Sequence, residues 1–142
     1  MQPSESLVFD TGVLVEHTKG TGRARRLNQR LKEGTLGAHT TDLNLFELSY
    51  LICREVGWQR ASSVVGALRE SGYLAVHDVQ PYLEAAARLK CGRAISIVDC
   101  VTIAAGEALS LPVLFASHET ELDAALRKGP LGTELKFLGE LG

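Results

Sequence analysis

Asp10, Glu47 and Asp99 are carboxylates set in sequence that otherwise reads as core. Asp10 closes the apolar run Leu7-Val8-Phe9, which places it where a strand meets its loop. At helical spacings of three and four, Glu47 has Leu43, Asn44, Tyr50 and Leu51 as neighbours. Three of those are apolar, so the pattern predicts a core-facing carboxylate. Asp99 stands in the almost wholly apolar stretch Ile95–Ala105, beside Ile95, Ser96, Thr102 and Ile103. An unpaired buried carboxylate costs roughly several kcal/mol, so each of the three needs a reason to be there. Local reasons exist. Asp10-Thr11-Gly12 is good turn or cap chemistry, Arg54 lies within two turns of Glu47, and Ser96-x-x-Asp99 matches a capping box. One shared reason covers all three: the acids converge at one end of a sheet and hold a hard cation. Mg²⁺ and Mn²⁺ prefer carboxylate and water oxygens, and such an ion can activate water for in-line displacement at phosphorus.

The elements that must position these acids alternate along the chain. Ser6–Asp10 reads as a buried strand, and Thr35–Thr40 as a weaker one after the breaker Gly34. Asp42–Val56 is long, apolar and free of breakers until Gly57, hence helix, and Trp58–Glu70 is a second helix. Tyr73–Asp78 reads as strand, Pro81 opens a helix to about Lys90, and Ser96–Leu109 is another helix. Pro112–Ala116 is a strand, a helix follows to about Lys128, and Glu134–Leu138 is a last strand. Strands separated by helices imply right-handed crossovers and a parallel sheet covered on both faces. Sites in such sheets form beyond the carboxyl ends of the strands, where Asp10 is expected.

Composition bounds the alternatives. With 142 residues, 45% hydrophobic and 23% charged, the chain fits one domain over residues 1–142 and excludes disorder. No apolar run approaches the roughly 20 residues of a membrane helix, and MQPSESLVFD has no secretory pattern, so a cytoplasmic, membrane-free protein is expected. Cys53, Cys91 and Cys100 lack CxxC spacing and read as small buried hydrophobes rather than disulfides or zinc ligands. The net charge of −2 advertises no nucleic-acid partner, although Lys19, Arg23, Arg25, Arg26, Arg30 and Lys32 form a run without acids. That run reads as a solvated helix face or a phosphate-contacting rim.

With the acids placed, the chain resembles PIN domains, above all the VapC-type toxin ribonucleases of prokaryotic toxin–antitoxin pairs. The similar stretches are LVFDTGVLVE, TTDLNLFELSYL and AISIVDCVTIAAGEALSLPVLFAS, spanning about residues 6 to 126. The resemblance implies a three-layer α/β/α domain with a central, mostly parallel sheet. It also implies a metal-dependent endoribonuclease that hydrolyses RNA phosphodiester bonds with metal-activated water. Asp10, Glu47 and Asp99 would hold Mg²⁺ or Mn²⁺, Thr11 would assist at the strand end, and Ser96 would orient Asp99. The family often ends its fourth strand with Thr-x-Asp, a fourth acid. Here His118 falls on that position, and Glu119 is the nearest acid and the favoured substitute. Gly12 stands where many members carry a hydroxyl, and Cys100 where many carry Ala.

An antitoxin partner and a homodimer are further implications of the resemblance. Phe46, Tyr50, Leu51, Trp58, Val64 and Val65 make two apolar helices, mostly core, with a part free for a dimer or antitoxin groove. Two other readings compete: a housekeeping RNA-processing PIN nuclease and a catalytically inert PIN-like binding module. A haloacid-dehalogenase-like phosphatase would need an acid at position 12, which is Gly. His17, His39 and His77 receive no role.

Overall fold

The computed structural model describes residues 2–141. Its centre is β1 (Glu5–Phe9), flanked by β2 (Leu36–Thr41) and β4 (Val113–Phe115), with β3 (Leu74–His77) and β5 (Leu135–Phe137) outside. The sheet order is β3-β2-β1-β4-β5 and every pairing is parallel. Alternation along β1 sends Leu7 and Phe9 to one face and Val8 to the other, and all three are essentially inaccessible.

Four helices cover the Leu7/Phe9 face: α1 (Thr11–Lys19), α2 (Arg25–Glu33), α3 (Asp42–Val56) and α4 (Trp58–Glu70). Val13, Leu14, Leu27, Leu45, Leu48, Val65 and Leu68 fill that layer. The Val8 face is covered by α5 (Leu83–Gly92), α6 (Ile97–Leu109) and α7 (Thr120–Arg127). The three layers of α/β/α architecture are therefore present. Among the described residues no helix is long and apolar enough to cross a membrane.

The bounds of α3 and α4 coincide with those read from the sequence, because Gly57 interrupts them with a positive φ of 97°. The helix expected from Pro81 begins as a 3₁₀ turn, Gln80–Tyr82, before α5. Two helices fall in a region to which the sequence assigned only turn chemistry and a basic face. In α1 a glycine sits at the second position, and α2 buries only Leu27 and the Arg30 side chain among polar neighbours. Neither shows a broad apolar stripe, so packing against the sheet supplies their stability rather than pattern.

Helix α6 carries Asp99 and lies close to β4. A β-carbon on Gly106 would stand 2.5 Å from the Val113 side chain and 3.0 Å from the Leu111 carbonyl oxygen. Gly106→Ala is expected to lower stability by about 1–3 kcal/mol, as overpacking a filled interior does. Urea denaturation measures this, and an unchanged midpoint would show that α6 can back away from the sheet.

Candidate metal centre

The order β3-β2-β1-β4-β5 reverses direction between β1 and β4. A crevice opens at such a switch point, beyond the carboxyl ends of the two strands. Asp10 follows β1 directly. Its backbone N–H still bonds the Leu114 carbonyl of β4 at 3.0 Å, while its side chain caps α1 by accepting from the Val13 N–H at 2.9 Å. Asp99 sits in the first turn of α6, where Ser96 is the N-cap and accepts from the Asp99 N–H at 3.2 Å. Glu47 lies mid-way along α3, and Glu119 precedes α7 in the loop after β4.

These four acids line one cavity of about 280 Å³, together with Thr11, Gly12, Leu51, Ser96 and Ala116. The six residues singled out in the sequence thus come together. Every titratable side chain lining the cavity is an acid. Asp10 is 6% exposed, and burial pushes its carboxyl up to about 8. The Val13 and Gly12 backbone groups work against that rise, and the charges of Asp99 and Glu119 add to it. Burial likewise raises Asp99 to about 6, helped by Glu119, Glu47 and Glu121 and opposed by its hydrogen bond with Ser96.

Glu47 does not face the core. The buried stripe of α3 is Asn44, Leu45 and Leu48, whereas Leu43 and Tyr50 are half-buried and Leu51 is exposed. Counting apolar neighbours therefore misjudged the face: Leu51 lines the cavity, and Leu43 packs on the Val8 side of the core. The Glu47 carboxylate accepts from the Tyr50 hydroxyl at 3.2 Å, and Arg54 stacks over the Tyr50 ring at 4.7 Å rather than pairing with Glu47.

His118 stands beside Glu119 in sequence but is not in the cavity lining. Its ring stacks on Phe137 and its nitrogens bond Asp123 at 3.1 Å and Glu140 at 3.3 Å, contacts that raise its pKa. The basic run does not form one rim. Lys19 pairs with Glu55, Arg23 with Glu16 and the Ala116 carbonyl, and Arg30 is buried against Glu5, which leaves Arg25, Arg26 and Lys32 exposed. Asn44 was not foreseen as part of the site. Its side chain is fully buried and bonds Thr11, Thr41 and Thr102 behind the acids. The only signal was Thr41-x-x-Asn44 at a helix start, which announces a cap and nothing more.

The profile of the PIN domain family matches residues 7–125. The chain belongs to the PIN domain family. Solved structures that share this PIN fold include a VapBC2 complex from Rickettsia felis bound to a promoter DNA fragment. That match has 14% identity and a TM-score of 0.67, over 93% of this chain and 98% of that one. A DNA-bound VapBC from Salmonella typhimurium matches at 15% identity and TM-score 0.69, over 94% and 98%. VapC20 of Mycobacterium tuberculosis, described as a sarcin-ricin loop cleaving toxin, matches at 21% and 0.65, over 84% and 94%. No curated protein sequence matches the chain. The fold of this PIN domain is thus that of VapC toxins.

The donor set of the PIN cavity is oxygen-only and uncompensated by any side-chain cation, which fits a hard divalent ion. Among the described residues no three His, Cys, Asp or Glu side chains stand close enough to enclose a metal by themselves.

Metal-free stability should report this electrostatic load. Folded Asp10 keeps a proton that the unfolded chain releases near pH 4, so its contribution is fully present below that pH. It is lost as pH rises through about 8. Melting temperatures in EDTA are expected to fall between pH 5 and 8, and Asp10→Asn to flatten that fall. Parallel pH profiles for the two proteins would remove Asp10 as its source.

Proposed function

We propose that this PIN domain is a divalent-metal-dependent endoribonuclease that hydrolyses RNA phosphodiester bonds, acting as the toxin of a toxin–antitoxin pair. The observation that carries the reading is the cavity at the switch point. Asp10, Glu47, Asp99 and Glu119 share it with no cationic side chain. A bound Mg²⁺ or Mn²⁺ would supply an activated water and offset charge building up at phosphorus.

The chain's own part is to hold four oxygen ligands ready. Val13 anchors one oxygen of Asp10, Ser96 fixes the turn that presents Asp99, and Tyr50 steadies Glu47. Glu119 is exposed at the mouth and supplies the acid that position 118 lacks, while His118 is held elsewhere by Asp123 and Glu140. An RNA phosphate would be repelled by these carboxylates without a cation between them. Exposed Arg25, Arg26 and Lys32 stand in no ion pair among the described residues and are available to backbone phosphates, contacts that give affinity rather than sequence choice.

An antitoxin partner is supported by a groove between α1 and the α3–α4 pair. Val15, Leu51, Ile52, Val56 and Val64 line it, and its volume is about 400 Å³. Val56 in its lining is 60% exposed, and Trp58 and Phe46 elsewhere on the α3–α4 pair are 62% and 64% exposed, apolar surface suited to an amphipathic helix. Leu51 lines both this groove and the acid cavity, so a partner seated here reaches the site's wall. The likeness to VapBC complexes favours the same reading, and the proposal includes a homodimer in the cytoplasm.

The test is cleavage of RNA by the purified protein with Mg²⁺ or Mn²⁺. Asp10→Asn keeps the cap on α1 but removes a ligand charge, so cleavage is expected to fall by orders of magnitude while the protein stays folded. Undiminished cleavage would dismiss Asp10. Cation binding has its own readout. An ion that binds only the folded state stabilises by about 2.7 kcal/mol at a hundredfold excess over Kd. Mn²⁺ should therefore raise the melting temperature, with EDTA reversing the gain. Glu47→Gln is expected to gain much less than the parent, and Glu119→Gln to lose more apparent affinity than His118→Ala. A Glu47→Gln gain equal to the parent's would make Glu47 a structural acid, and the reverse order at 118 and 119 would make the histidine the functional group.

A further inference from the structure

The four acids that line the cavity come from separate segments, Asp10 ahead of α1, Glu47 on α3, Asp99 on α6 and Glu119 after β4, and like groups give one another no attraction. Something other than the acids must therefore hold the ends of α1, α3 and α6 at their spacing. Backbone hydrogen bonds within each helix cannot do so. The Asn44 side chain bonds to all three segments. Its amide nitrogen donates to Thr11 Oγ1 at 3.1 Å and to Thr102 Oγ1 at 3.0 Å. Its oxygen accepts from the Thr41 hydroxyl at 2.6 Å and the Thr41 N–H at 3.3 Å. Thr102 in turn donates to the Val98 carbonyl at 2.8 Å.

Asn44, Thr11 and Thr102 are each next to a cavity acid or one helical turn from it. Thr11 follows Asp10, Asn44 lies three residues before Glu47, and Thr102 lies three after Asp99. The amide is fully buried, and both its hydrogens and both acceptor sites of its oxygen are used. Capping alone does not explain an asparagine here. A Glu or Gln at the third helical position closes a capping box as well. An ionised acid, however, has no N–H to reach across to α1 and α6, and it would add charge behind carboxylates that already repel.

We propose that Asn44 is the positioning residue of the carboxylate cavity, fixing Thr11, Thr41 and Thr102 and thereby the spacing of Asp10, Glu47 and Asp99. This rests on the reading that those carboxylates hold a divalent cation, so the test measures cation affinity and not cleavage. The dissociation constant for Mn²⁺ is read from the electron paramagnetic resonance signal of the free ion. Each variant is assayed at a temperature where circular dichroism shows it folded. Asn44→Leu, of similar volume, is expected to weaken Mn²⁺ binding about tenfold to a hundredfold, the usual cost of losing a group that orients ligands. Thr102→Val should weaken it several-fold, and Thr102→Ser, which keeps the hydroxyl, should bind like the parent.

Leu68→Ala truncates a buried residue of α4 outside the cavity lining and serves as the destabilised control with unchanged affinity. If Asn44→Leu does not fold, Thr102→Val and Thr11→Val decide the matter. Parent-like affinity in the network variants, or an equal loss in Leu68→Ala, overturns the proposal. A parent that binds no Mn²⁺ overturns the cation reading itself, and this shows before any variant is compared.

Discussion

Burying the Asp10 carboxyl at the end of the central strand costs free energy that no side-chain cation around the cavity returns. The strand leaves no choice of place. With β2 on one side, β4 on the other and helices over both faces, the first open position along β1 is the crevice beyond Phe9. A carboxylate there is desolvated, and the acids on α6 and after β4 add to its burden. The carboxylate accepts from the Val13 N–H, and the Asp10 backbone N–H donates to the Leu114 carbonyl; these contacts fix position without supplying a full positive charge. Stability and ligand affinity therefore trade against each other at this spot, a common pattern where charges are gathered for function.

The surrounding architecture tolerates that load by keeping polar groups satisfied. Thr40 bonds the Phe9 carbonyl, and Thr41 caps α3, so side chains close the ends of β1 and β2. Ser96 does the same for α6. The starts of α1 and α6 thus lie at one cavity, and the partial positive ends of their backbones are the nearest thing to compensation the chain offers.

Much of this was legible in the residues. Strand β1, helices α3 and α4, and Asp10 and Asp99 follow from apolar runs, breakers and carboxylates in the wrong company, whereas Glu119 came only from the family resemblance. Helices α1 and α2 were not legible, since α1 has little apolar pattern and α2 is mostly charged, and both depend on a sheet that periodicity cannot see. The face of Glu47 was misread because Leu51 is apolar for the sake of the cavity wall and the groove, and Tyr50 bonds the Glu47 carboxylate instead of filling the core. Asn44 was overlooked because a cap and a hub have the same local signature, and only the distant Thr11 and Thr102 tell them apart. The basic run misled in the opposite direction: its members look alike in sequence, yet Glu5, Glu16 and Glu55 claim half of them.

The pairing of Val8 with Val113 joins strands more than a hundred residues apart, and Glu119 comes later still. During synthesis at roughly 5–20 residues per second, β1 leaves the ribosome many seconds before β4 exists to flank it. Until then the crevice has one wall, and the Leu114 carbonyl that anchors the Asp10 backbone is absent. The sheet order thus acts as a timer. The site closes only as the last third of the chain emerges, so a nascent fragment ending before β4 would carry Asp10, Glu47 and Asp99 without the geometry that makes them a site.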